Sequence, residues 1–159
     1  MKENLAATQF GTYFEDFAVG QTYISPARTI TETDVTIFAG LSGDYNPLHT
    51  DAVFAEQTRF GKRIAHGLLG LSIASGLAAR LGFIDGTAEA FLGLDWKFRD
   101  AIYIGDTIRV RVQVTQTKPM KRLGGGMVSF KVEVVNQSDT IAQKGVWRVL
   151  VRSREESKS

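Results

Sequence analysis

The sequence predicts an α+β fold in which a curved antiparallel sheet wraps around one long central helix. The segment 66–82 is apolar almost all round and contains Arg80 and two serines. It falls short of the roughly 20 residues needed to cross a bilayer, so we expect it to be buried inside the protein. Later segments alternate apolar and polar residues with the period of half-exposed strands. Because these strands follow the helices instead of alternating with them, an α+β arrangement is favoured over βαβ units.

The N-terminal third predicts a β-rich run followed by two short helices. The β-rich run covers 23–30, and Thr31 or Thr33 is a candidate N-cap for the first helix. Its apolar side is predicted to hold Val35, Ile37, Phe38 and Leu41, and Gly40 and Gly43 are predicted to end it. The second short helix lies within 51–62 and is predicted to place Val53, Phe54 and Phe60 in the core.

The second half predicts an antiparallel meander, because consecutive strands are separated by short polar turns. The apolar positions are Phe91, Leu94, Trp96 and Phe98 in 89–105; Ile108, Val110, Val112 and Val114 in 106–120; Val128, Phe130, Val132 and Val134 in 126–138; and Val146, Val149 and Val151 in 140–153. A single sheet of this kind leaves an edge and a back face uncovered. We therefore expect the chain to pair with a second copy.

Length and composition bound the function. The 159 residues, with 43% hydrophobic and 23% charged side chains, predict one globular domain over 1–159, with frayed ends at 1–10 and 153–159. A net charge of +2 does not indicate a nucleic-acid partner. The absence of cysteine excludes disulfides and thiol nucleophiles. The N-terminus lacks a secretion-signal pattern, so we expect a cytoplasmic protein with no membrane partner.

The stretch SGDYNPLHTDAVF, 42–54, is the first candidate for chemistry. Pro47 fixes its own φ and pushes Asn46 out of the helical region, so Asp44 and His49 stand on a rigid turn. Asn46 can clamp either side chain. An imidazole that titrates near neutrality and a carboxyl group make a natural pair for acid–base catalysis. The alternative is that Asp44 caps its own turn or a helix while His49 packs against the core.

The stretch IAHGLLG is the second candidate. Gly67 lies at the predicted start of the central helix, where backbone N–H groups have no partner within the helix. Its N–H could hold a substrate carbonyl oxygen and stabilise negative charge there. A glycine that only permits close packing is equally compatible with the sequence. We interpret His66 as a supporting residue or a second acid–base group.

Other features give weaker signals. Ser72 and Ser75 are expected to bond back to helix carbonyls, and no GxSxG nucleophile motif occurs. Asp44, His49, Asp51 and His66 could in principle ligate a metal, but their spacing is weak, and no metal site is predicted. The loop 117–127 carries Lys118, Lys121 and Arg122 without a P-loop pattern. These cations could meet the phosphates of coenzyme A, or the loop could be a solvated hairpin tip.

Together, LSGDYNPLHTD (41–51) and RIAHGLLGLSIASGL (63–77) resemble the hydratase-2 signature of MaoC-like, R-specific enoyl-CoA hydratases. The resemblance extends from about Tyr23 to Arg152. It implies a single hot-dog domain, a dimer or larger homo-oligomer, and an active site at the interface that receives an acyl-CoA or acyl-carrier-protein thioester.

The same resemblance implies roles for individual residues. Asp44 and His49 match the pair that activates water, and Gly67 matches the backbone donor to the thioester carbonyl. Asn46 matches a supporting residue, and Ser75 a helix serine near the water. The implied reaction is hydration of an enoyl thioester in fatty acid metabolism, with no cofactor because coenzyme A is part of the substrate. A hot-dog thioesterase and a non-catalytic acyl-CoA-binding subunit are the alternatives.

Overall fold

The computed structural model describes residues 11–154. The expectation of frayed ends falls largely on 1–10 and 155–159, which lie outside the described residues. Within the described part, the Ser153 N–H donates to the Gly124 carbonyl at 3.0 Å, and the Arg154 N–H donates to Glu15 at 3.2 Å. The elements are β1 (Thr22–Ile24), β2 (Arg28–Thr29), α1 (Glu32–Ser42), α2 (Pro47–Thr50), α3 (Ala52–Glu56), α4 (Gly67–Ala79), β3 (Ala88–Phe98), β4 (Thr107–Met120), β5 (Gly125–Val135) and β6 (Ile141–Arg152).

All strand pairs are antiparallel, and the sheet order is β1-β4-β5-β6-β3 with β2 also on β4. The predicted α+β class with an antiparallel sheet is confirmed. The meander holds only for β4, β5 and β6. Strand β3 precedes β4 in the chain but pairs with β6, so it forms one edge of the sheet.

The alternation in β4 and β5 correctly predicted the core. Their eight predicted apolar residues are all buried: Ile108, Val110, Val112, Val114, Val128, Phe130, Val132 and Val134. In β6, Val149 and Val151 are buried with Trp147, but Val146 is only half-buried. Successive strand residues point to opposite faces, so Val146 cannot share a face with Val149.

Helix α4 is buried on one side only. That side packs against the sheet and consists of Leu69, Gly70, Ile73, Ala74, Leu77 and Ala78. The opposite side exposes Leu68, Ser72 and Ser75. The prediction of a helix buried all round was therefore wrong for the single chain, because one sheet covers only one side of a helix.

The helices before α4 are well defined at their ends but incompletely buried. The Thr31 hydroxyl and Asp34 carboxylate form a capping box at the start of α1, and Gly43 ends it in the left-handed conformation, with φ 76°. Val35 is buried, whereas the predicted core residues Ile37, Leu41, Val53 and Phe54 are exposed, and Phe60 is half-buried. No helix within 11–154 has the length and apolarity that a membrane crossing requires.

Candidate active site

A cavity of about 710 Å³ lies where the loop before α2, the start of α4 and the end of β3 meet. The residues that line it include Asp44, His49, His66, Gly67, Phe98 and Gln143. All three residues that the sequence predicted as catalytic, Asp44, His49 and Gly67, are in this set. The two motifs, at 41–51 and 63–77 in the chain, are thus brought together at one site.

The turn before α2 positions Asp44. Pro47 is the first residue of α2, and Asn46 is its N-cap, accepting the Leu48 N–H at 3.0 Å. The Asp44 carboxylate accepts the Asn46 N–H at 3.2 Å, which closes a local turn. The structural interpretation of Asp44 as a turn residue therefore holds, and the same residue also lines the cavity.

The hydrogen bonds of His49 identify its tautomer. Its Nδ1 lies 2.8 Å from the Ile64 carbonyl oxygen. Since a carbonyl can only accept, Nδ1 carries the hydrogen and Nε2 of the neutral ring keeps its lone pair. Ile64 is itself fixed by a β-bridge to Tyr103. The ring is therefore oriented by backbone, with one nitrogen available as a base.

His66 joins the two motifs. The residue is 2% exposed, and its Nε2 donates to the backbone carbonyl of Asp44 at 2.9 Å. Its ring centroid lies 3.9 Å from that of His49, with a 30° interplanar angle. Its Nδ1 is buried and has no hydrogen-bond partner in the described part of the chain. His66 thus contacts both members of the predicted acid–base pair.

Asp44, His49 and His66 each present a polar side-chain atom within 4.8 Å of the other two. Such a cluster can pass protons, and a carboxylate with two imidazoles is also a set that transition metals accept. Asp51, the fourth candidate ligand from the sequence, is not in the cluster. Its carboxylate caps α3 by accepting the Phe54 N–H at 3.0 Å.

Gly67 begins α4 and has little space around it. The preceding N-cap, His66, makes no side-chain capping bond, so the first N–H groups of the helix have no side-chain cap there. A Cβ at position 67 would come within 2.8 Å of the Phe98 ring. The Gly67 carbonyl accepts a hydrogen bond from the Gln143 amide at 3.0 Å.

An ion pair fixes the segment that connects the two motifs. Arg63 donates to both carboxylate oxygens of Glu32, at 2.8 and 2.6 Å, and also to the His49 carbonyl at 3.4 Å. These hydrogen bonds from Arg63 lower the pKa of Glu32, and the same pair raises the pKa of Arg63. Helix α2, which carries His49, is therefore tied to the start of α1.

The remaining predicted residues lie elsewhere. Ser75 donates to the Ser72 carbonyl at 2.7 Å and does not line the cavity. Lys118 lies in β4, and Lys121 and Arg122 lie in the 3₁₀ turn between β4 and β5, also away from the cavity lining. Their role in binding substrate stays a prediction.

Sequence reasoning gave no site role to several lining residues, among them Arg59, Phe98, Arg99 and Gln143. Gln143 left a signal, because it shares the parity of the inward residues Trp147 and Val149 in β6. A polar side chain at an inward position indicates a specific bonding task. The two arginines lie on loops, and no periodicity points to them.

Comparison with known proteins agrees with this architecture. A family model described as MaoC like domain matches residues 16–138. An (R)-specific enoyl-CoA hydratase of Rhodospirillum rubrum is 41% identical over 111 residues, which cover 69% of this chain and 74% of that protein. A 3-hydroxybutyryl-CoA dehydratase of Methylorubrum extorquens is 40% identical over 111 residues, covering 69% of this chain and 68% of the relative.

Solved structures confirm the fold. A protein of Mycobacterium tuberculosis described as having a double hotdog fold superposes with a TM-score of 0.81 over 94% of this chain and 46% of that chain. At 18% identity this likeness concerns the fold alone. The predicted hot-dog arrangement is confirmed.

Proposed function

The chain belongs to the MaoC-like dehydratase family, and on that premise we propose that it reversibly adds water to trans-2-enoyl thioesters, giving (R)-3-hydroxyacyl thioesters. The chain is thus a hydro-lyase, in agreement with the names of its hydratase and dehydratase relatives. The observation that carries the proposal is the cluster of Asp44, His49 and His66 in a cavity that Gly67 also lines.

In the proposed mechanism His49 and Asp44 divide the proton transfers. The unprotonated Nε2 of His49 takes a proton from water, and the water oxygen bonds to C3 of the enoyl group. Asp44 delivers a proton to C2. The proton on His49 then returns to Asp44, directly or through solvent, which restores both groups for the next turnover. Dehydration runs through the same steps in reverse.

Gly67 is proposed to stabilise the charge that develops on the thioester oxygen. As C3 is attacked, electron density moves toward the carbonyl and an enolate forms. A backbone N–H at the start of a helix is already oriented and lies at the positive end of the helix dipole. Phe98 packs so closely against Gly67 that any side chain at position 67 would overlap its ring, so only glycine presents this N–H with Phe98 in place.

The proposal includes the substrate carrier and the location. The thioester is carried by coenzyme A or an acyl-carrier protein, and the reaction takes place in the cytoplasm. The thioester itself acidifies C2, so the proposed reaction needs neither a metal nor a redox cofactor. A chelator should therefore leave the rate unchanged.

We also propose a homodimer, or a higher assembly built from it, that pairs through β3. This edge strand is 11 residues long and exposes Phe91 (53%), Leu92 (44%) and Leu94 (42%). A long apolar edge is a template for another strand. The open side of α4, next to the same cavity, would face the partner.

The direct test is the loss of enoyl-thioester absorbance with a panel of acyl-CoA chain lengths, together with the configuration of the 3-hydroxy product. We expect turnover to the R product, with and without chelator, and no release of free thiol. Thiol release at the rate of absorbance loss would favour the thioesterase alternative. Saturable binding without turnover for every chain length would favour the non-catalytic alternative.

A further inference from the structure

The Gln143 side chain, which projects from strand β6, is hydrogen-bonded to Gly67, the first residue of α4. This side chain is 2% exposed, and its Nε2 donates to the Gly67 carbonyl at 3.0 Å. Its Oε1 accepts the indole N–H of Trp96 at 3.0 Å. Trp96 lies in β3 and Gln143 in β6, so a continuous chain of hydrogen bonds runs from the sheet to the start of the helix.

The amide has one orientation in this chain. A tryptophan N–H can only donate, which assigns the accepting oxygen to the Trp96 side and the NH₂ group to the Gly67 side. The amide group therefore cannot flip without losing both bonds. Because the Gln143 side chain is itself buried, the loss of either bond leaves one of its polar atoms without a partner in the interior.

Two glycines allow close packing around Gln143 and its partner Trp96. A Cβ at Gly70, one turn into α4, would overlap the Gln143 Nε2. A Cβ at Gly145 would overlap the Asp95 carbonyl and come within 2.6 Å of the Trp96 ring. Gly70 thus lets the helix approach the Gln143 amide closely, and Gly145 lets β3 with the Trp96 ring approach β6.

Gly67 requires such an anchor more than other helix starts do. Glycine has the widest choice of φ and ψ, and the N-cap residue His66 supplies no side-chain cap. The residues on both sides of the Gly67 N–H are held instead. The His66 side chain, whose residue precedes that N–H, bonds to the Asp44 carbonyl, and the Gln143 amide bonds to the Gly67 carbonyl, which belongs to the following peptide. Fixing the Gly67 carbonyl and the preceding His66 side chain restricts the φ and ψ of Gly67, and these angles relate the direction of the Gly67 N–H to both bonds.

We infer that Gln143, oriented by Trp96, is a positioning residue that aims the Gly67 N–H at the substrate carbonyl. The inference rests on the proposed function for its catalytic consequence. Full activity should therefore require an amide at position 143 and an indole at position 96. Neither side chain touches the reacting atoms in the proposed mechanism.

The test compares Gln143→Met, which keeps the length but loses both bonds, with Trp96→Phe, which keeps a ring but loses the donor. Gln116→Met, on the exposed part of β4, is the matched control. Displacing a catalytic group by about 1 Å can cost on the order of 10²-fold in rate. We expect Gln143→Met to lose roughly ten- to a hundred-fold in kcat with little change in KM, Trp96→Phe to lose less, and the control to lose nothing.

Two spectroscopic readouts separate positioning from simple packing. A conjugated dienoyl-CoA absorbs at longer wavelength when its carbonyl is polarised, so the red shift on binding should shrink in Gln143→Met. The amide resonance of Gly67 in the ligand-free protein should move in both variants and stay in place in the control. A folded Gln143→Met protein with wild-type kcat, red shift and Gly67 resonance would overturn the inference. If the wild-type protein hydrates no enoyl thioester, only the proposed function is refuted. The Gly67 resonance still tests whether Gln143 positions the Gly67 N–H.

Discussion

His49 uses its two ring nitrogens for different tasks. Nδ1 is engaged by the Ile64 carbonyl, so the ring is held in one orientation and Nε2 remains the acceptor. Asp44 likewise uses its carboxylate in a local turn while lining the cavity. One residue can thus both fix the local backbone and take part in the proposed proton transfer. A substitution that tests the proton transfer must therefore keep the hydrogen bond that fixes the backbone.

Asp44→Asn meets that condition, because the amide oxygen can still accept the Asn46 N–H. We expect hydration to fall by about 10²–10⁴-fold, since an amide cannot deliver a proton, with an unchanged melting temperature. Asp51→Asn is the control on the same loop, because its amide oxygen can still cap α3. Steady-state kinetics and thermal unfolding measure both. An active Asp44→Asn enzyme would rule out the carboxyl as the proton donor.

Asp34 gives stability a pH dependence. Burial alone would raise its pKa, but hydrogen bonds from Thr31 and Arg28 outweigh burial and hold the pKa below the ordinary value of 3.8. The stabilisation is therefore complete above the unfolded pKa, about 4, and is lost as the pH falls through the lowered folded pKa.

Asp34→Asn removes that titration, so the variant should lose less of its own stability on acidification below about pH 4. Urea midpoints measured at several pH values provide the comparison. Glu32 also titrates with a lowered pKa, so part of the acid dependence should remain. An unchanged acid limb in Asp34→Asn would contradict the assignment.

At the scale of the elements, helix α4 has no space for an added side chain on its buried side but has space for one on its exposed side. At Gly70 an added Cβ would overlap Gln143 and approach Ile102 to 2.8 Å, whereas nothing lies within 4 Å of a Cβ at Gly76. Gly70→Ala should destabilise by about 1–3 kcal/mol through overpacking. Gly76→Ala should stabilise by about 0.5–1 kcal/mol through helix propensity. Denaturant unfolding of the two variants tests the pair, and equal effects would contradict the burial pattern of the helix.

Strand alternation was informative wherever one face of the strand meets the core. It correctly identified eight buried positions of β4 and β5, because the residues between them in the sequence are mostly polar. It failed for β3, where Phe91 and Leu94 are apolar but exposed in the single chain. A sequence records every apolar surface in the same way, whether it packs against its own core or against a partner.

At the scale of the whole molecule, the proposed homodimer requires an apolar β3 edge strand, and a substitution in β3 can test this. Leu94→Lys places a charge on the exposed edge strand and should shift the protein toward monomer, as measured by sedimentation. Val19→Lys substitutes an equally apolar exposed residue outside the sheet edge and should leave the mass unchanged. A Leu94→Lys protein of wild-type mass would place the interface elsewhere.

The sequence predicted those residues of the candidate site that lie within the two local motifs. Asp44, His49 and Gly67 lie within two short stretches whose turn and helix-start chemistry is visible in the sequence. Gln143 and Arg99 reach the cavity only through the pairing of β3 with β6, in which Phe98 lies opposite Gln143. Such contacts depend on strand order, which residue spacing does not encode.

That strand order also sets a sequence of events in folding. The β4–β5–β6 meander closes through neighbouring segments, whereas β3 must reach across two strands to pair Trp96 with Gly145. Contacts between distant segments form more slowly than local hairpins. The wall made by Phe98 and Gln143 is thus complete only when β3 has docked, so we expect the refolding chain to form most of its sheet before this cavity exists.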